Sequence, residues 1–108
     1  MIAVARTAAE LESGMSGRDD LDGMVFAMPD DGPHSFWNRG CAFPLTLYGF
    51  GAHGGSPVDG TWLPSEDAAG RVSALVAGRY VVEVRDFRGG DVWPEIHERL
   101  AEARRREA

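Results

Sequence analysis

The chain has 108 residues, 44% of them apolar, and carries a net charge of −6 from eleven basic and seventeen acidic side chains. That length suits one domain with one core, and the apolar share argues against a disordered chain. The acidic balance lacks the basic footprint of a nucleic-acid binder and would be repelled by an anionic membrane surface.

All eleven basic residues are Arg. The single cysteine, Cys41, cannot form an intramolecular disulfide, which fits a reducing, cytoplasmic setting. No apolar run approaches the ~20 residues of a membrane span. Residues 1–12 lack the apolar core of a secretory signal.

In chain order, residues 2–6 alternate weakly and predict a short first strand. Thr7, with Glu10 three residues on, forms a capping-box pattern for a helix over residues 8–15. Ala8, Leu11 and Met15 share one face of that helix. The polar stretch "SGRDDLDG" reads as a loop. "GMVFAMP" is a continuous apolar run bounded by Gly and Pro, the pattern of a strand buried on both faces. "DDGPH" is a turn and "SFWN" is extended. "PLTLYGF" alternates as a strand, with Leu45 and Leu47 on one side and Thr46 and Tyr48 on the other.

"GAHGGSP" reads as a hairpin turn, "VDGTWL" as the return strand and "PSEDAAG" as a loop. "RVSALVAG" fits either a strand or a short helix, with the strand preferred. "RYVVEVR" is the clearest strand: Tyr80, Val82 and Val84 face one way, and Arg79, Val81, Glu83 and Arg85 the other. "DFRGGD" is a turn. A C-terminal helix follows over residues 94–105, opened by Pro94, with Trp93, Ile96 and Leu100 as a narrow apolar stripe. That stripe docks on its own domain or serves a partner or a second copy.

These elements predict an α+β fold, mainly β, as a small curled sheet or barrel-like domain with a short N-terminal helix and a C-terminal helix. Residues 1–108 read as a single domain: a β-rich part over 2–85 and the helix over 92–106. Met24, Phe26, Phe36, Leu45, Leu47, Tyr80, Val82 and Val84 are expected to be buried together in one core.

"AAELESGMSGR", "DGMVFAMPDDGPHSFWNRG", "PLTLYGF" and "RYVVEV" occur here in a fixed order. Together they resemble a widespread prokaryotic family of unknown function, domain-of-unknown-function family 192, over about residues 2–85. The matching positions are Gly14, Arg18, Gly23, Met24, Phe26, Pro33, Phe36, Trp37, Arg39, Pro44, Leu45, Tyr80 and Glu83. The chain departs from the family pattern at Asn38, where a methionine is typical. Gly40 and Cys41 stand in place of an Asn-Thr pair, and Thr46 in place of an acid. The middle segment lacks the cysteines common there, and the C-terminal end is a charged helix. The resemblance implies a compact β-rich fold and no particular reaction.

Extended geometry puts Trp37 and Arg39 on one face and Phe36 and Asn38 on the other. A Trp beside an Arg offers a platform for a planar or anionic ligand. It suits still better a Trp packed under a loop beside an Arg in an ordinary ion pair. Arg39 and Glu83 would pair if their strands were neighbours. Cys41 with His34 as base and Asp31 as orienter is a second constellation, set against the common role of a free cysteine as a small buried apolar residue. The acids Asp19, Asp20, Asp22, Asp30 and Asp31 lack calcium-loop spacing, and His34, His53 and His97 lack metal-ligand spacing. No phosphate-loop, dinucleotide or nucleophile-elbow motif occurs.

Two functions stay open. One is a non-catalytic ligand-binding or protein-interaction module with a groove at Trp37, Asn38, Arg39 and Glu83. The other is a small hydrolase-type enzyme using Cys41 or the polar loop. No cofactor and no metal is expected. Partners reduce to an unknown small molecule or protein, without nucleic acid or membrane, the chain being a monomer or weak homodimer.

Overall fold

The computed structural model describes residues 1–85 and 91–107. The strands are β1 (Ile2–Ala5), β2 (Gly23–Ala27), β3 (His34–Trp37), β4 (Leu45–Phe50), β5 (Asp59–Leu63), β6 (Ser73–Val76) and β7 (Tyr80–Arg85). The helices are α1 (Ala8–Ser13), α2 (Glu66–Ala69) and α3 (Trp93–Glu107). The fold is α+β and mainly strand, with the short N-terminal helix and the C-terminal helix in their expected places. The expected turn after β7 falls largely at 86–90, outside the described residues.

Five strands form one sheet in the order β1-β2-β7-β4-β5. β1 and β2 run parallel, and every other pair is antiparallel. The sheet is open, so the barrel-like alternative gives way to an open sheet. β3 and β6 pair separately as a two-stranded antiparallel ribbon. Residues of that ribbon, Phe36 and Val76, pack with Met24, Phe26, Leu45 and Leu47 on one face of the large sheet. α3 covers the opposite face. There Ile96, Leu100 and Ala103 pack on Ile2, Val25, Phe50, Tyr80 and Val82.

The expectation of a single core is therefore corrected. Tyr80 and Val82 belong to the helix-covered face, with Val84 partly buried beside them, while Met24, Phe26, Phe36, Leu45 and Leu47 belong to the other. The cause is the two-fold alternation of a strand, which sends successive side chains to opposite faces. Because both faces are covered, β2 is buried at every position, as its unbroken apolar run requires.

Local chemistry accounts for the joints. The Thr7 hydroxyl accepts from the Glu10 amide at 3.1 Å, and the Glu10 carboxylate accepts from the Thr7 amide at 3.0 Å. That box starts α1 directly after β1. Those amides, Thr7 first and then Arg6, hold the Glu10 carboxyl below its usual range. Asp59 at the start of β5 accepts from the Ala77 amide at 2.7 Å and the Gly60 amide at 2.8 Å, tying β5 to the turn after β6. Where β4 crosses that turn, a Cβ on Gly49 would stand 1.7 Å from the Ala77 carbonyl oxygen. Only glycine permits this approach. α2 occupies the stretch expected as a loop; the Ser65 hydroxyl caps it by accepting from the Ala68 amide at 3.2 Å.

Candidate functional site: a cleft with a buried carboxyl

α1 and the residues after it form one wall of a cleft, and the strand–turn segment 35–41 forms the other. The cleft encloses about 240 Å³. Its inner part is apolar, with Met15, Met28 and Phe36, and its mouth carries Glu12, Trp37 and Arg39. At the base lies Glu83, on the central strand β7.

The sheet register explains why a carboxyl sits there. Glu83 stands between Met24 of β2 and Leu47 of β4 in the middle of the sheet. It shares its face with Val81, so the alternation read from the sequence points it away from α3. Only 4% of its surface is exposed. No hydrogen bond or ion pair among the described residues reaches its carboxyl. Burial alone pushes its pKa up to about 8, because taking the ionised form out of water disfavours it. Gly14, the C-cap of α1 at φ 50°, lies directly over it. A Cβ at Gly14 would stand 3.3 Å from the Phe26 ring and 3.7 Å from Glu83 Oε1. A bare glycine thus leaves the carboxyl open to the cleft.

Along segment 36–39 the alternation expected from the sequence holds: Phe36 and Asn38 are buried, and Trp37 and Arg39 are exposed. Trp37 is 45% exposed. The Arg39 guanidinium lies 5.3 Å from its ring centroid and that of Arg71 6.0 Å, so Trp37 carries two cations at the cleft mouth. Arg71 is itself paired with Glu66 at 2.8 Å.

The Arg39–Glu83 ion pair, expected only if their strands were neighbours, is not formed. β7 neighbours β2 and β4 rather than β3, and both side chains line the cleft without pairing. Trp37, Arg39 and Glu83 do come together around one space. Asn38 does not join them. Its side chain is fully buried, its amide nitrogen donates to the Pro64 and Gly70 carbonyls at 2.9 and 2.8 Å, and its oxygen accepts from the Val72 amide at 2.9 Å. Every polar group of this side chain is engaged with backbone, so its place is structural.

The nucleophile reading weakens on geometry. Cys41 is buried at the cleft wall, and burial, with Glu83 and Glu66 adding, pushes its thiol up to about 11. Such a thiol carries almost no thiolate at neutral pH. The His34 Nε2–H donates to the Asp30 and Gly78 carbonyls at 3.0 and 3.1 Å, and His34 is not among the residues that line the cleft with Cys41. Among the described residues no three His, Cys, Asp or Glu side chains converge as metal ligands. Sequence reasoning treated residues 12–16 as helix end and loop, and so missed Glu12, Ser13 and Ser16 as a cleft wall. Gly14 stands among the residues of the resemblance noted in the sequence, without its role.

No family model matches the chain, and no curated protein does. Two solved structures are similar. One is a protein of unknown function from Novosphingobium aromaticivorans DSM 12444, 26% identical with a TM-score of 0.50, over 92% of this chain and 67% of that one. The other is a proposed transcription regulator from Sinorhizobium meliloti 1021, 17% identical with a TM-score of 0.60, over 90% of this chain and 73% of that one. The second likeness shows the fold alone. No helix among the described residues is long and apolar enough to cross a membrane.

Proposed function

We propose that this chain is a small, non-catalytic ligand-binding module whose site is the cleft between α1 and segment 35–41. One observation carries the reading: the carboxyl of Glu83, a residue only 4% exposed, has no partner among the described residues and lies at the base of an open cleft. Buried polar groups are ordinarily hydrogen-bonded, and an orphan at a cleft base is supplied with its partner by whatever enters. Trp37 and Arg39 at the mouth support the same site. The raised Cys41 pKa and the lack of a histidine among the described residues lining the cleft favour binding over hydrolysis. A cytoplasmic setting and the resemblance to domain-of-unknown-function family 192 belong to this reading and rest on the residues quoted for them. The regulator description attached to the Sinorhizobium meliloti protein is not carried over, since the acidic charge of this chain offers no match for nucleic acid.

The test is a fragment screen by two-dimensional amide NMR at pH 6.5. Binding fragments are expected to move the Gly14 amide and the Trp37 indole signals together, and to lose the Gly14 shift in Trp37→Ala. A diverse screen with no fragment acting on these signals at millimolar concentration overturns the reading.

A further inference from the structure

We propose that the cleft takes a planar lactam or carboxamide ring whose uncharged N–H and C=O edge pairs with the Glu83 carboxyl, and whose anionic substituent meets Arg39 at the mouth. This inference rests on the binding reading above and names its ligand class. Three observations set the chemistry.

The first is the base. A protonated carboxyl presents an O–H donor and a carbonyl acceptor side by side, and a cis amide presents the complementary acceptor and donor. The two close a ring of two hydrogen bonds without burying any charge. The held-up pKa of Glu83 keeps that form dominant at neutral pH. A cationic ligand would need the ionised carboxylate beside Met15, Met28 and Phe36, where no hydrogen bond among the described residues supports the charge.

The second is the mouth. Arg39 lies over Trp37 there, with Arg71 on the same ring. Glu12 is the acid on the facing wall. Guanidinium groups on an aromatic ring repel an incoming cation and favour an anionic group left outside. The third is size. At about 240 Å³ the cleft lies below the roughly 300–1,000 Å³ typical of sites for drug-sized molecules. It suits one ring rather than a fused, extended ligand.

The titratable or charged groups facing Glu83 from neighbouring elements are few. α1 offers Glu12, and the segment after β3 offers Arg39 and Cys41. β2 and β4 present Met24 and Leu47 beside it, which do not titrate. The binding profile against pH therefore reports Glu83 itself.

The probes are 2-pyridone-5-carboxylate, the plain 2-pyridone, the N-methyl pyridone, nicotinate (a ring acid without the lactam) and the cation benzamidine. Each is titrated against the full chain from pH 6 to pH 9.5. The carboxylated pyridone is expected to bind tightest. Its affinity should be flat to about pH 7.5 and fall towards tenfold per pH unit above pH 8, as a required proton is lost. N-methylation should cost tenfold or more. Glu83→Leu should cost more than tenfold, and Glu83→Gln should remove the pH dependence. Arg39→Gln should erase the preference for the carboxylated ring. Nicotinate binding as tightly as the pyridone acid, benzamidine binding tighter and gaining affinity with pH, or affinity unchanged in Glu83→Leu each overturns the ligand class. No binding of the pyridones at millimolar concentration overturns it too, while fragments of other chemistry acting on Gly14 and Trp37 would leave the binding reading standing.

Discussion

A buried carboxyl with no partner among the described residues keeps its proton, and at Glu83 that makes folding stability fall as pH rises. Below the ordinary carboxyl value of 4.5 both folded and unfolded chains hold the proton. Between 4.5 and about 8 the unfolded chain loses it and the folded chain keeps it, so each pH unit favours unfolding. Above about 8 the full penalty applies, on the order of 3–5 kcal/mol. Glu83→Gln has no such proton. Urea unfolding of both proteins from pH 4.5 to 9 should show the variant pulling ahead by that amount, and a constant difference would refute the buried-acid assignment. Asn38 tests the opposite case, a polar group fully satisfied. Asn38→Ala strands two carbonyls and one amide and should cost roughly 2–4 kcal/mol in the same assay; a loss below 1 kcal/mol would mean the segment 64–72 holds without it. These two residues also show what the sequence could convey. The alternation along 36–39 revealed that Trp37 and Arg39 share a face. It could not reveal that Asn38 meets Pro64, Gly70 and Val72, because those partners lie 26 to 34 residues away.

At the scale of elements, the strands were legible because burial on one or two faces writes a two-fold or continuous apolar pattern. "RYVVEVR", "PLTLYGF" and "GMVFA" all became strands of the large sheet. α2 was not legible: four residues, "EDAA", are too short to carry a helical period, and only the Ser65 cap hints at it. Pairing partners were not legible either, since β7 reaches β2 and β4 across the chain, and that order decides what Glu83 faces. The joint between β4 and the turn after β6 is the most constrained. Gly49→Ala forces backbone apart at the Ala77 carbonyl, a contact no side-chain motion can relieve. It should cost about 3 kcal/mol or more, at the upper end of overpacking effects, read as a drop in melting temperature. An unchanged melting temperature would show that the turn after β6 yields freely.

On the scale of the whole molecule, the sheet divides the protein into two faces with different work. α3 seals one with Ile96, Leu100 and Ala103, and the cleft opens on the other with Glu83 as its base. Leu100 is 1% exposed and belongs to the helix-covered cluster. Leu100→Ala should therefore cost ~2–5 kcal/mol, the range for a leucine truncated in a packed core. The intervening sheet is a hydrogen-bonded layer, and sites separated by more than about 7–10 Å without shared partners act nearly independently. Below its lowered melting point, the variant should keep the wild-type amide positions of Gly14 and the Trp37 indole, and the wild-type titration of Glu83 near pH 8. Combining it with Asn38→Ala should give losses that add within about 0.5 kcal/mol. A Leu100→Ala protein in which those cleft signals move would mean that α3 sets the position of β7. The cleft would then be shaped by the helix behind it as well as by the walls around it.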